Sequence, residues 1–262
     1  MTSAQPSTVY LVGAGPGDPE LLTRKAAALL ETADVIYHDD LVSEEVLALA
    51  KGHALVVSVG KRCGAKRVTQ AEINQKLVDS ARRGLSVVRL KSGDPLIFGR
   101  AGEEIAALAL AGIRHEVIPG ISSATAAAAA VGASLTSRDA ASSVLLVTGH
   151  HAEKPNGEHS PDGLAPTRVV YMPGSDLGPL AQKLLNEGLS AETPCAIVSR
   201  ISRPDQVIVW TTVGELKNAK APTSPAVLLA GWALAVAEDH QRSSPPGIPE
   251  TEPRIVSAGN EA

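Results

Sequence analysis

Short apolar runs recur along this chain, separated by stretches in which apolar residues return every three or four positions. VYLVG from Val9, VIYH from Val35, ALVVSVG running up to Lys61, LSVVRLK ending at Lys91 and HEVIPG from His115 are largely unbroken, as in strands buried on both faces. Between the first two, Leu22, Ala26, Leu29, Leu30 and Ala33 follow a helical period behind Asp18, an N-cap candidate with Pro19 at the first helical position. Ser43 with Glu44 and Glu45 opens a short helix, and Thr69 with Glu72 forms a capping box ahead of Ile73, Leu77, Val78 and Ala81. A helix is expected from about Glu103 to Leu110, and an alanine-rich one after Ser122 and Ser123. Strands alternating with helices predict a parallel sheet covered on both faces, doubly wound to about Thr136.

A second series begins at SVLLVTG, Ser143 to Gly149, and continues through RVVYM, a helix around Leu177 to Asn186, PCAIVSR, QVIVWTT and PAVLLAGWAL. Several strands with one clear long helix predict a mixed sheet. The fold class is therefore α/β, with two α/β domains sharing an interface. The expected boundaries are a flexible N-terminus at 1–8, a first domain at 9–136, a second at 137–237 and a disordered tail at 238–262. The insertion EKPNGEHSPDGLAP is polar and rich in Pro and Gly, hence a loop.

Composition narrows the function classes. Apolar residues make up 44% of the 262, aromatics only 2%, and the formal charge of −4 provides no field for nucleic acid or an anionic membrane. An acidic ligand must be met locally. Cys63 and Cys195 are far apart, with no CxxC and no His spacing of a metal site; His150-His151 reads as loop. The N-terminus has no basic and apolar leader, and the run Ala226 to Ala237 is too short to span a bilayer. A reduced, cytoplasmic enzyme without metal is expected.

Candidate chemistry gathers where strands end. The turn Gly13-Ala14-Gly15-Pro16-Gly17-Asp18 follows the first strand, where open sheets place ligands. A dinucleotide fingerprint would need glycine at 18; Asp18 and the nearby prolines favour a ligand without phosphate, and a plain tight turn is the alternative. Asp39 ends the second strand and Lys61 the third; helix capping and solvation are the bland readings. Arg89, Lys91, Asp94, Arg100, Glu103 and Glu104 read as one charged loop following a strand. Arg100 and Glu103, three apart, share a face once the helix has begun and can simply pair. Ser122 and Ser123 can present hydroxyls and amides to a ligand, and Arg138 is a carboxylate-clamp candidate or a surface arginine. G-x-S-x-G and P-loop motifs are missing from the sequence, so hydrolase and kinase readings lack support.

Taken in order, GAGPGDPELLT, DDLVS, VGKR, TQAEIN, VVRLKSGDPLIFGRAGEE, VIPGISSATAAAAA, LTSR, VLLVTGH, Tyr171-Met172 and RPDQ closely resemble the uroporphyrinogen-III C-methyltransferases of the tetrapyrrole methyltransferase superfamily. The resemblance covers about residues 9 to 236. It implies a homodimer whose cleft binds S-adenosylmethionine as co-substrate, releasing S-adenosylhomocysteine. Cofactor contacts would fall on Pro16, Ser92, Gly93, Asp94, Ile97, Ser122, Ser123, Met172 and Ile201. Such enzymes usually read GGD where this chain has Ser92-Gly93-Asp94, and NGT where it has Arg200-Ile201-Ser202. The second difference puts a branched side chain where backbone access is expected.

By the same resemblance, Asp39 and Lys61 are acid/base positions, and Arg100, Glu103 and Arg138 lie at the substrate, with Arg100 and Glu103 also counted among the catalytic residues. An electron-rich pyrrole carbon attacks the methyl on sulfonium, and a proton then leaves the adjacent bridging carbon. A guanidinium of pKa above about 12 is a poor base, so Arg100 is expected to bind carboxylate. The implied reaction is methylation of uroporphyrinogen III at C2 and C7, giving precorrin-2 via precorrin-1 for sirohaem, cobalamin or haem d1 biosynthesis. The alternatives are another precorrin methyltransferase, a nicotinamide-dependent dehydrogenase and a non-catalytic tetrapyrrole-binding module.

Overall fold

The computed structural model describes residues 7–60, 68–149 and 165–235. Lys61, Cys63, His150, His151, most of the Pro- and Gly-rich insertion and the tail from 236 lie outside the described residues.

The apolar runs of the first half form β1 (Val9–Gly13), β2 (Val35–His38), β3 (Leu55–Ser58), β4 (Val87–Lys91) and β5 (His115–Ile118). They pair in parallel in the order β3-β2-β4-β1-β5. Alternate side chains enter two different cores. Leu11, Val35, Tyr37 and Val87 pack with α3 (Gln70–Arg82) and α4 (Ala101–Leu110), while Val12, Ile36, Val88 and Leu90 pack with α1 (Arg24–Thr32) and α2 (Glu44–Leu47). The sheet is thus doubly wound, as the alternating pattern predicts. The chain leaves β1 toward one face and β4 toward the other, although these strands are neighbours. Such a reversal opens a crevice at their carboxyl ends.

Local capping explains where the helices begin. Thr69 and Glu72 close both halves of the capping box on α3, and Ser43 caps α2. Asp18 does accept from Glu20 N, with Pro19 at the first position, but it caps only a short 3-10 turn, Pro19–Leu21. Thr23 then caps α1 separately, so the single helix expected from Asp18 is two pieces. The strand expected to end at Lys91 does so, so Arg89 and Lys91 lie inside β4 and the reading of them as part of the following charged loop is corrected; α4 begins at Ala101, with Glu103 and Glu104 in its first turn.

The second half forms β6 (Val144–Thr148), β7 (Thr167–Tyr171), β8 (Pro194–Ser199), β9 (Val207–Thr212) and β10 (Ala226–Ala230), ordered β6-β7-β10-β8-β9. Only β6 and β7 pair in parallel; the other contacts are antiparallel, giving the expected mixed sheet. One face carries α5 (Ser123–Val131), whose alanines pack against Val169, Ala196, Val198, Val227 and Leu229. The other carries α6 (Gly178–Asn186) through Leu180, Ala181 and Leu184. Because α5 follows β5 directly yet covers the second sheet, it carries the chain from one sheet onto the other.

Candidate functional site

Three loops meet at the carboxyl ends of β1, β4 and β5. Gly15 N–H donates to the Gly93 carbonyl (3.2 Å) and Gly93 N–H returns a bond to Gly15 (2.7 Å). Asp94 ties in the third loop by accepting from Gly120 N (3.1 Å), while its other oxygen accepts from Leu96 N (2.8 Å). Side chains are excluded here: a Cβ on Gly13 would lie 2.5 Å from Gly120 N and 2.7 Å from the Gly93 carbonyl oxygen. Gly93 also sits at φ +67°, a conformation that costs glycine little. The junction therefore brings the first turn and the segment around Ser92, Gly93 and Asp94 together main chain to main chain, with Ser123 Oγ 3.5 Å from where a Gly93 Cβ would stand.

The second sheet completes this junction through β7. Tyr171 Oη hydrogen-bonds Ser122 Oγ (3.0 Å) and accepts from Ala124 N (3.2 Å), so it joins Ser122 in capping α5. Its ring lies 5.0 Å from that of Phe98, tilted by 54°. Phe98, Arg100 and Met172 all have positive φ, the left-handed region that non-glycine residues rarely occupy. Met172 is exposed beside this contact, and Ile97 is half-buried in the same loop as Phe98. Pro16 is buried in the first turn. The expected cofactor positions from Pro16 to Met172 thus fall on loops that meet one another.

Ile201 contributes differently from its expected cofactor-facing neighbours. Its side chain is 6% exposed and packs among the α5 alanines, while its carbonyl oxygen would lie 3.6 Å from a Cβ on Gly17. The branched side chain thus points into the second core and leaves main chain toward the first turn. Ser202 Oγ accepts from Asp18 N (3.1 Å), and Arg203 donates to the Leu41 carbonyl, joining the RPDQ segment to both early loops. With Asp18 closing the 3-10 turn by its own carboxylate, no free helix N-terminus remains there for a pyrophosphate.

Beside the junction lies a buried charge cluster. Arg89 and Lys91 are each 2% exposed, Glu104 is fully buried and Asp39 is 32% exposed. Arg89 Nε donates to Glu104 Oε1 (2.8 Å), Nη1 to the carbonyls of Tyr37 (3.3 Å) and Leu90 (3.2 Å), and Nη2 to Asp39. Lys91 Nζ donates to Glu104 Oε1 (3.1 Å) and stands 4.0 Å from Asp39 Oδ2. Burial, then the neighbouring Arg89 charge, pulls Lys91 below its ordinary value, against the raising pull of the two carboxylates. Arg89, the stronger cation, is held above its usual value by Asp39 and Glu104 despite burial. Two cations matched by two carboxylates are what buried charge requires.

Arg100 and Glu103 make the opposite arrangement, an exposed bidentate pair at 2.6 and 2.9 Å. The bond to Glu103 raises Arg100 further, and Glu103 is correspondingly lowered by Arg100. A guanidinium so held keeps its proton and its charge. Arg138 is exposed in a turn bridged by Ser137 and Ala141, with no described contact to Arg100 or Glu103. Lys61 lies outside the described residues.

A cleft of about 1170 Å³ opens alongside, lined by Asp18, His38, Asp40, Ser43, Arg200 and Arg203 among others. Arg200 pairs with Asp205, and burial followed by the Arg200 charge lowers Arg203. Sequence reasoning missed Tyr171, Phe98 and Arg203 individually, and did not separate Arg89, Lys91 and Glu104 from the exposed charges. Charged residues at i and i+2 in an otherwise apolar central strand are the signal that singles out the last group. Among the described residues no group of three or more His, Cys, Asp or Glu is arranged for a metal, and no helix is long and apolar enough to cross a membrane.

The chain is similar to known proteins. The family model for tetrapyrrole (corrin/porphyrin) methylases matches residues 8–217. A siroheme synthase of Psychrobacter sp. (strain PRwf-1) is 46% identical over 228 residues, covering 85% of this chain but 47% of that protein. The chain thus spans about half the length of the curated relatives it matches. The uroporphyrin-III C-methyltransferase of Thermus thermophilus is 39% identical, with a TM-score of 0.76 over 88% of this chain and 95% of that one. Its complex with S-adenosylhomocysteine matches at 38% identity and a TM-score of 0.74, over 88% and 100%. A cobalt precorrin-4 methyltransferase is 33% identical, with a TM-score of 0.76 over 87% and 95%.

Proposed function

The chain belongs to the tetrapyrrole (corrin/porphyrin) methylase family, and from that premise we propose that it transfers methyl groups from S-adenosylmethionine to C2 and C7 of uroporphyrinogen III, giving precorrin-2 via precorrin-1. The observation that carries the reading is the junction of the three carboxyl-end loops with Tyr171, set beside an Asp39 gripped from below by Arg89. The likeness to the Thermus enzyme along 95% of its length favours uroporphyrinogen III as the tetrapyrrole.

The residues present fit the donor. Backbone groups around Ser92, Gly93 and Asp94, the hydroxyls of Ser122 and Ser123, and the neighbourhood of Pro16, Ile97, Met172 and the Ile201 main chain would hold a nucleoside and amino-acid ligand that carries no phosphate. Crowded glycines and a self-capped Asp18 suit such a ligand. When bound, S-adenosylmethionine supplies an electrophilic methyl on sulfonium. Asp39, partly exposed and held by Arg89, would accept the proton that leaves the bridging carbon, with Lys61 as the complementary acid/base position. Arg100, oriented by Glu103, together with Arg138 would receive substrate carboxylates. Arg203, partly desolvated in the adjoining cleft, is a further carboxylate candidate.

The test is anaerobic incubation of the purified protein with donor and uroporphyrinogen III, followed by mass spectrometry. A mass gain of two CH2 units is expected, each methyl gained being matched by one proton lost; unchanged uroporphyrinogen in the presence of intact donor overturns the assignment. The equal TM-score of the cobalt precorrin-4 methyltransferase supports a second reading, a later corrinoid precursor as substrate. Turnover of that precursor with uroporphyrinogen III untouched would favour it. NADH binding by calorimetry would bring back the dehydrogenase reading, which the self-capped Asp18 turn argues against. A homodimer in the cytoplasm is the assembly and location that accompany the proposed activity.

A further inference from the structure

Arg89 and Lys91 share the face of β4 that Val87 gives to the apolar core, beside Leu11 of β1; nothing in that packing calls for charge, and burying the two cations is costly unless each is paired. We infer that Lys91 and Glu104 act, through Arg89, as positioning residues that fix the Asp39 carboxylate at the cleft. The inference rests on the proposed role of Asp39 and adds residues to which that role assigns nothing.

The geometry is directional. The guanidinium of Arg89 is planar, so fixing two of its nitrogens fixes the third. Nε is committed to Glu104 and Nη1 to two backbone carbonyls, which leaves Nη2 one place to point, and Asp39 is there. Glu104 is itself anchored by three donors on one oxygen: Arg89 Nε, Lys91 Nζ, and Gln70 Nε2 at 3.3 Å from α3. Oε2 of Glu104 is buried without a hydrogen-bond partner among the described residues, so the carboxylate is oriented entirely through Oε1. Asn74 of α3 donates to the Glu103 carbonyl (3.3 Å), holding that turn of α4 against the cluster. A Cβ on Gly99 would lie 3.2 Å from Lys91 Cε, which places the ammonium stem beneath the 94–100 loop.

Charge ties the arrangement to pH. The groups that act on Lys91 are Arg89 on its own strand, Asp39 after β2 and Glu104 on α4, and Glu103 in the same turn senses the Lys91 charge. With Lys91 charged, two cations face the buried carboxylates. Once it loses its proton, Arg89 alone must hold both, and the grip on Asp39 relaxes. Because burial lowers Lys91, this loss begins below the ordinary lysine value of 10.5.

The experiment compares wild type with Lys91→Met, Lys91→Arg and Glu104→Gln in the full chain. It reads kcat and KM across pH, S-adenosylhomocysteine affinity by calorimetry, and the Lys91 Cε resonance by NMR. Lys91→Met is expected to lower kcat roughly tenfold, about one charge-assisted hydrogen bond, with donor affinity unchanged and the alkaline limb flattened. Lys91→Arg should recover most of kcat and carry the limb upward. Glu104→Gln should move the Lys91 titration further down, since it removes a carboxylate that raises it. A folded Lys91→Met with wild-type kcat and an unchanged alkaline limb overturns the inference. So does a Lys91 resonance that titrates with the bulk lysines, a readout that stands even where Lys91→Met does not fold. Wild type that methylates no tetrapyrrole would instead break the functional reading and leave the NMR titration to judge the cluster.

Discussion

Two arginine–glutamate pairs meet on the first turn of α4, built from adjacent glutamates and opposite in character. Glu103 reaches out to Arg100 in solvent, while Glu104 reaches in to Arg89 and Lys91 beneath the sheet. The first pair is screened by water, so its partners can separate at little cost. The second cannot, because each charge depends on its partners for solvation. One turn of helix therefore pairs an exposed arginine on its outer side and, through Arg89, braces the Asp39 carboxylate on its inner side.

The largest effect should come from the inner pair. Glu104→Ala leaves Arg89 and Lys91 without their shared carboxylate and is expected to cost about 3–5 kcal/mol in denaturant unfolding. Glu103→Ala, one residue away, should leave the unfolding midpoint in place. Equal destabilisation by the two would erase the distinction. Next comes Asp39→Asn, expected to lower kcat by about 10²-fold or more with donor affinity retained, since it removes the proposed proton acceptor along with the anionic partner of Arg89. Steady-state kinetics beside calorimetry with S-adenosylhomocysteine would check it.

A smaller effect is expected where the two sheets meet. Tyr171→Phe deletes the hydroxyl shared by Ser122 and Ala124 and should cost about 1 kcal/mol, with a modest loss of donor affinity. The smallest change in stability belongs to Arg100→Ala, which should raise KM for a polycarboxylate substrate and leave the unfolding midpoint unmoved. High salt should do the same to wild type. The pH dependence of this outer pair has a definite sign. Glu103 titrates below its ordinary 4.5 because Arg100 stabilises its charged form, so the pair is complete above that value and breaks as pH falls through the lowered one.

Much of this was legible in the sequence where local chemistry decides the outcome. Unbroken apolar runs located the strands, and Thr69 with Glu72 marked α3 because a capping box needs only neighbouring residues. Asp18 misled because its cap is real but the helix behind it stops after one turn, and Thr23 starts another. Arg89 and Lys91 were visible as charges but not as buried ones, since burial depends on α3 and α4 folding over β4. Glu104 was indistinguishable from Glu103 until the phase of α4 against the sheet was known. Tyr171 could not be paired with Ser122 across 49 residues by any local rule.

The most direct test supplies S-adenosylmethionine labelled with carbon-13 at the methyl, together with uroporphyrinogen III, and reads the product by NMR. Two labelled methyl carbons attached to ring carbons C2 and C7 are predicted for wild type, with Asp39→Asn much slower. Recovery of uroporphyrinogen III carrying no label, with the donor intact, would contradict the account.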